Sequence, residues 1–186
     1  KQLNQAPINF QQDFQNMLET LQKLLNDPYF HIMLKHSILW DSLIINRRKP
    51  YTYRVFAKYN DLRICLHEFE DCSETESFVH PHAWPAAFTV LEGGYNLKIG
   101  QSKNTLDTPE NWHTLNIMAG SSYEMVDPLE WHTITPFEKT TTIMINGPNY
   151  ATPHSAVRTT KGKDLEKIKE KDKEKFLKRI RNLLGV

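Results

Sequence analysis

A mainly β fold in a single domain, framed by helical segments at both ends, is what this sequence predicts, and three observations carry that expectation. Between residues 51 and 146 the chain divides into nine short runs rich in Val, Ile, Thr, Tyr and Phe, separated by clusters of Gly, Asn, Asp and Pro. No helical periodicity interrupts them, which favours a sandwich or closed barrel over a parallel α/β sheet. Outside that region the apolar period changes to three and four residues, as in amphipathic helices.

The elements follow in order. Over 10–26, Phe10, Phe14, Met17, Leu18, Leu21, Leu24 and Leu25 trace one helical face, and Asp27-Pro28 stops it. A second apolar segment, 30–40, fits either a helix or a strand, and Asp41 with Ser42 offers a break after it. The expected strands are 51–57, 62–69, 78–82, 87–91, 95–99, 113–118, 122–125, 131–135 and 140–146. Glu92-Gly93-Gly94 reads as a tight turn between two of them, where glycine permits positive φ. The segment 163–184 reads as a charged helix with Leu165, Ile168, Phe176, Ile180, Leu183 and Leu184 along one side. The expected organisation is an N-terminal helical segment packed on the barrel (1–48), the β barrel (49–156) and a charged C-terminal helix (157–186). Because the strand pattern ends near residue 150, truncation after Ala156 is expected to leave the site intact.

With 186 residues, 39% hydrophobic, 24% charged and 11% aromatic, the chain is long enough for one core and excludes disorder, collagen and a disulfide scaffold as global descriptions. No apolar run approaches the ~18 residues of a membrane span, so a cytoplasmic location is expected. The chain begins at Lys1 rather than Met, which leaves an upstream segment open. Cys65 and Cys72 fit neither a disulfide framework nor a four-thiolate zinc site and read as packing or incidental thiols. Residues 161–186 hold ten Lys/Arg against five Asp/Glu, a basic tail on a mildly acidic body. Its interleaved acids cancel much of the field, so the expected tail is a solvated helix docking on the barrel or a partner, not a nucleic-acid or membrane ligand.

His80-Pro81-His82 sets two imidazoles at i and i+2, which on a strand share a face about 6.5–7 Å apart at Cα. Both can reach one ion. Neutral imidazoles suit Fe, Zn, Ni or Cu, and three protein ligands on one side leave open positions for catalysis. Some fifty residues later, His132 opens another β run behind Pro128-Leu129-Glu130-Trp131, and Leu91-Glu92-Gly93-Gly94-Tyr95 lies between.

That order resembles the cupin family over roughly residues 50–150: His-x-His and a glycine turn, then an intermotif region, then a proline turn and a further His. The resemblance implies a single cupin barrel, a double-stranded β-helix or jelly-roll, holding one divalent transition metal on His80, His82 and His132. Fe(II) comes first, with Zn, Ni or Mn as alternatives. Most cupins carry a glutamate ligand four or five residues after the second histidine, where this chain has Ala86 and Ala87. Glu92, at the strand end, reads as a turn residue.

Three histidines without the carboxylate resemble the thiol dioxygenase branch, of which cysteine dioxygenase is the familiar member, and which implies oxidation of a small thiol at ferrous iron. Tyr53-Arg54 precedes His80 much as a Tyr-Arg pair does there, implying that Arg54 pairs a substrate carboxylate, a task suited to its rigid fork. A departure is that the branch's late Ser, His and Tyr correspond here to Thr142, Met144 and Asn146, which weakens cysteine itself as substrate. His-Pro-His-Ala-Trp and Ile-Asn-Gly-Pro also resemble small cupins of unassigned activity.

Among other residues, His113 reads as a loop histidine, with approach to the same cavity as the alternative, and His154 follows the barrel pattern. His67 and His154 are candidates to orient a ligand imidazole, and Trp84 or Trp131 could wall the pocket. The expected function is a non-haem iron oxygenase acting on a small carboxylate-bearing molecule, a thiol being one option. A metal-dependent isomerase or lyase and a non-catalytic binding cupin are the alternatives. The expected partner is a small-molecule substrate, with a homodimer left open.

Overall fold

The computed structural model describes residues 16–104, 106–150 and 164–186. Two antiparallel sheets form the body. The first has six strands in the order β1-β2-β3-β10-β5-β8, formed by β1 (Asp41–Ile45), β2 (Thr52–Tyr59), β3 (Leu62–Phe69), β5 (Ala86–Glu92), β8 (Ser122–Met125) and β10 (Thr140–Asn146). The second has four in the order β4-β9-β6-β7, formed by β4 (His80–Pro81), β6 (Gly94–Gln101), β7 (His113–Met118) and β9 (Glu130–Pro136). The expectation of a mainly β fold holds, as two facing sheets; a closed barrel is not what the ladders form. Eight expected strands appear within a residue or two. The ninth, 78–82, shrinks to His80–Pro81, because Pro81 has no amide hydrogen to continue a ladder. β1 falls where a break was expected and pairs with β2 from Asp41↔Phe56 to Ile45↔Thr52.

Strand alternation divides the core in two. Val55, Ala57, Tyr59, Ile64, Leu66, Ala87, Ile143 and Ile145 turn to one side of the six-stranded sheet and pack against helices. Phe56, Cys65, Met144, Phe88 and Ala86 turn to the other, in a cluster that includes Ile99 of the facing sheet. Val90 of the first sheet likewise packs with Tyr95, Leu97 and Ile134 of the second. Gly93, at φ 74°, makes the β5–β6 turn; a Cβ there would lie 2.6 Å from the Lys139 carbonyl oxygen.

Helix α1 (Met17–Leu25) starts at Asn16, whose side chain accepts from the Glu19 amide at 3.1 Å, and buries Met17, Leu21 and Leu24. Residues 10–15 of the expected helix lie outside the described residues. Asp27-Pro28 stops α1 and also starts α2 (Pro28–Met33), with Asp27 accepting from the Tyr29 amide and Pro28 in the first turn. The segment 30–40 is therefore helical, ending in a 3₁₀ turn at Ser37–Leu39.

Helix α3 (Glu170–Leu184) starts later than the expected 163 and docks its apolar stripe on the six-stranded sheet, one of the two dockings expected of the tail. Phe176, Leu177 and Ile180 are at most 9% exposed and belong to the same cluster as α1 and the outer face of the sheet. The buried Lys173 Nζ donates to the Trp40 carbonyl at 2.9 Å, and Arg179 bridges Glu68 and Glu92. The helix is part of the core, so truncation after Ala156 would uncover it rather than leave the fold untouched. Among the described residues, no helix is long and apolar enough to cross a membrane.

Candidate metal centre

Register brings His80 and His132 together: they are direct cross-strand partners in the β4–β9 ladder, a position where Cβ atoms sit about 4.5–5.5 Å apart. Their Nε2 atoms lie 3.2 Å apart. His82 follows β4 and closes the group, its ring centroid 5.4 Å from that of His80 and 4.6 Å from that of His132. One ligand atom from each of the three falls within 4.8 Å of the others.

The surroundings hold the rings in place. His80 Nδ1 lies 3.2 Å from the Phe78 carbonyl, which leaves Nε2 bare when Nδ1 carries the proton, and the Phe78 ring stacks on the imidazole at 5.1 Å. Trp84 stacks against His82 with centroids 6.0 Å apart, and Phe88 lies 5.7 Å from His82 and 6.0 Å from His132. Burial, reinforced by His82 and His80, holds the His132 imidazole well below the ordinary histidine range, so the ring is neutral at neutral pH.

This donor set fits a divalent transition metal. Nitrogens bound about 2.1 Å from one ion at neighbouring positions lie roughly 3.0–3.4 Å apart, and the His80–His132 spacing falls in that interval. His132 Nδ1, on the other side of the ring, is buried with no hydrogen-bond partner among the described residues.

Arg54 lies on β2 directly opposite His67 of β3, and its Nε donates to His67 Nε2 at 2.8 Å. His67 is 3% exposed, and the charges of Arg54, Arg63 and His82 add to burial in depressing its pKa. His67, weighed in the sequence only as one option for orienting a ligand, is thus the partner of the arginine. Nothing in its sequence spacing singled it out; only the β2–β3 register did.

The remaining candidates separate. His113 begins β7 opposite Ile99, exposed and outside the histidine cluster, so it is a strand rather than a loop residue. His154 lies outside the described residues. Glu92 accepts from Arg179 at the end of β5, as a structural residue does. Phe78 and Phe88, which clasp the histidines, were not singled out from the sequence.

No family model matches the chain, and no curated protein matches it. Among solved structures it is similar to hydroxypropylphosphonic acid epoxidase from S. wedmorenis, at 17% identity and a TM-score of 0.45, over 56% of this chain and 55% of that one. The same enzyme in complex with fosfomycin gives 18% identity and a TM-score of 0.43, over 52% and 51% of the two chains. A conserved protein of unknown function from Streptococcus pyogenes is 15% identical with a TM-score of 0.41, over 56% of this chain and 80% of that one. The chain thus spans about half the length of the epoxidase.

Proposed function

We propose that this chain is a cupin-type metalloprotein that holds one divalent transition metal, Fe(II) first, on His80, His82 and His132, and works as a non-haem oxygenase on a small carboxylate-bearing molecule. The observation that carries the reading is the convergence of three imidazoles from β4, its following turn and β9 at a spacing that matches ligation of one ion. When bound, ferrous iron would supply one-electron chemistry and positions open to substrate and dioxygen. The chain's own residues supply the rest. Phe78, Trp84 and Phe88 fix the imidazoles and present apolar walls to water. Arg54 offers a charge to an anionic substrate, having no acidic partner among the described residues.

The test begins with elemental analysis of protein purified without oxygen, where about one transition metal per chain is expected. His82→Ala should lose it while keeping its far-ultraviolet circular dichroism. A folded His82→Ala protein with full metal occupancy would defeat the assignment. Oxygen uptake with small thiol carboxylates, and with carboxylates that lack sulfur, then separates an oxygenase from a metal-dependent isomerase or a binding module.

A further inference from the structure

Beyond the ligands, the inner face of the six-stranded sheet carries two arginines that have no acidic partner among the described residues: Arg63, stacked over the Phe56 ring, and Arg54. Arg54 is half-buried, and burial is the largest influence on its guanidinium, lowering its pKa from the ordinary value. A guanidinium has five N–H donors and stays charged in proteins. One of the five, on Nε, goes to His67 at 2.8 Å, and among the described residues neither Nη atom meets a protein acceptor and no carboxylate pairs with the group. The next inward-facing row along the same strands is Phe56, Cys65, Met144 and Phe88, which carries no anion, since burial pushes the Cys65 thiol up and keeps it protonated. A charge drawn part-way out of water without an anionic partner is unfavourable.

His67 decides how that charge is presented. To accept from Arg54 Nε, its Nε2 must be bare, so the proton sits on Nδ1, where the Thr142 hydroxyl is 3.4 Å away as acceptor. Burial first, and then the charges of Arg54 and Arg63, keep the ring neutral, so it orients the guanidinium without cancelling it. With Nε occupied, the edge left for a ligand is the one formed by Nη1 and Nη2. Two parallel N–H groups on that edge match the two oxygens of one carboxylate.

We propose that His67, relayed from Thr142, is a positioning residue that locks Arg54 to present its Nη edge end-on to a single carboxylate of a small monoanionic ligand lying between the sheets. The inference rests on the proposed function and adds to it the residue that orders the carboxylate's receptor. Arg63 is engaged over the Phe56 ring, so the guanidinium that His67 sets is that of Arg54, and its single Nη edge suits one carboxylate.

The experiment is calorimetric titration of propionate, and separately of inorganic phosphate, into the protein stripped of metal by chelation and into the Co(II)-loaded protein. Wild type is compared with Arg54→Met, His67→Phe and His67→Gln. Propionate should bind wild type more tightly than phosphate does. Arg54→Met and His67→Phe should each weaken propionate by about tenfold or more, equivalent to ~1.4 kcal/mol. His67→Gln, whose amide oxygen can accept the Nε hydrogen, should stay within about threefold of wild type. If His67→Phe does not fold, by circular dichroism, His67→Leu replaces it in the same comparison. Wild-type affinity in the Phe or Leu variant, equal loss in the Gln variant, or no propionate binding to wild type would each overturn the proposal. Because the metal-free arm is independent of the histidine cluster, loss of metal binding with the His67 pattern intact would sink the metalloprotein reading alone.

Discussion

Deleting α3 probes how much of the core the C-terminal helix supplies. A chain ending at Lys163 loses Phe176, Leu177 and Ile180, which are 9%, 2% and 0% exposed, and uncovers the sheet face and α1 residues beneath them. Full burial of side chains of this size is worth about 1.5–3 kcal/mol each, so the three together contribute roughly 5–9 kcal/mol. That is comparable to the entire ~5–15 kcal/mol stability of a typical domain. The truncated chain should therefore fail to fold cooperatively, or melt far below the full-length protein. The graded version is Ile180→Ala, which leaves a cavity at a fully buried site and should cost about 2–5 kcal/mol. With a urea m-value of about 1–3 kcal/mol/M, its midpoint should fall by about 0.7 M or more. Tryptophan fluorescence follows the transition. The consequence reaches the site, because Arg179 ties α3 to Glu68, the neighbour of His67 on β3. A truncated protein that unfolds with unchanged midpoint and m-value would refute the placement of α3 in the core.

Other consequences can be read on the same metal-free protein. His67 is held neutral below the ordinary histidine pKa, so in acid the unfolded chain takes up a proton that the folded chain refuses. The sign follows: this contribution is complete above pH ~6.5 and is lost as pH falls below it, by about 1.4 kcal/mol per unit while the ring stays neutral. Urea midpoints at pH 7.5 and 5.5 should diverge less in His67→Gln than in wild type, and an equal decline would count against the assignment. Tyr95 and Tyr123 share a hydroxyl–hydroxyl bond of 2.9 Å in the interior, and burial pushes both phenols up. Tyr123→Phe should cost about 1–3 kcal/mol by stranding the Tyr95 hydroxyl, and the Tyr95→Phe/Tyr123→Phe double variant should cost less than the sum of the singles. Additive singles would show that the pair is not coupled.

Local chemistry made much of this protein legible in its sequence. Runs of β-branched and aromatic residues between turn formers fixed eight strands, because alternation and turn residues act within a few positions. The i, i+4, i+7 series Met17, Leu21, Leu24 announced α1 for the same reason. His80-Pro81-His82 was visible as a pair because its spacing is local, and His132 was joined to it by resemblance. The tertiary structure decided what depends on partners far along the chain. His80 and His132 lie 52 residues apart, and only the β4–β9 register sets their nitrogens 3.2 Å from each other. Arg54 and His67 face one another because a β-hairpin aligns them, although neither residue's neighbours in sequence say so. Strand β1 is polar at its start and lies at a sheet edge, so its pairing with β2 supplies what propensity does not. Helix α3 is densely charged, and its sequence alone suits solvent as well as a core. Its Phe176, Leu177 and Ile180 are buried because the outer face of the six-stranded sheet offers an apolar surface that something must cover.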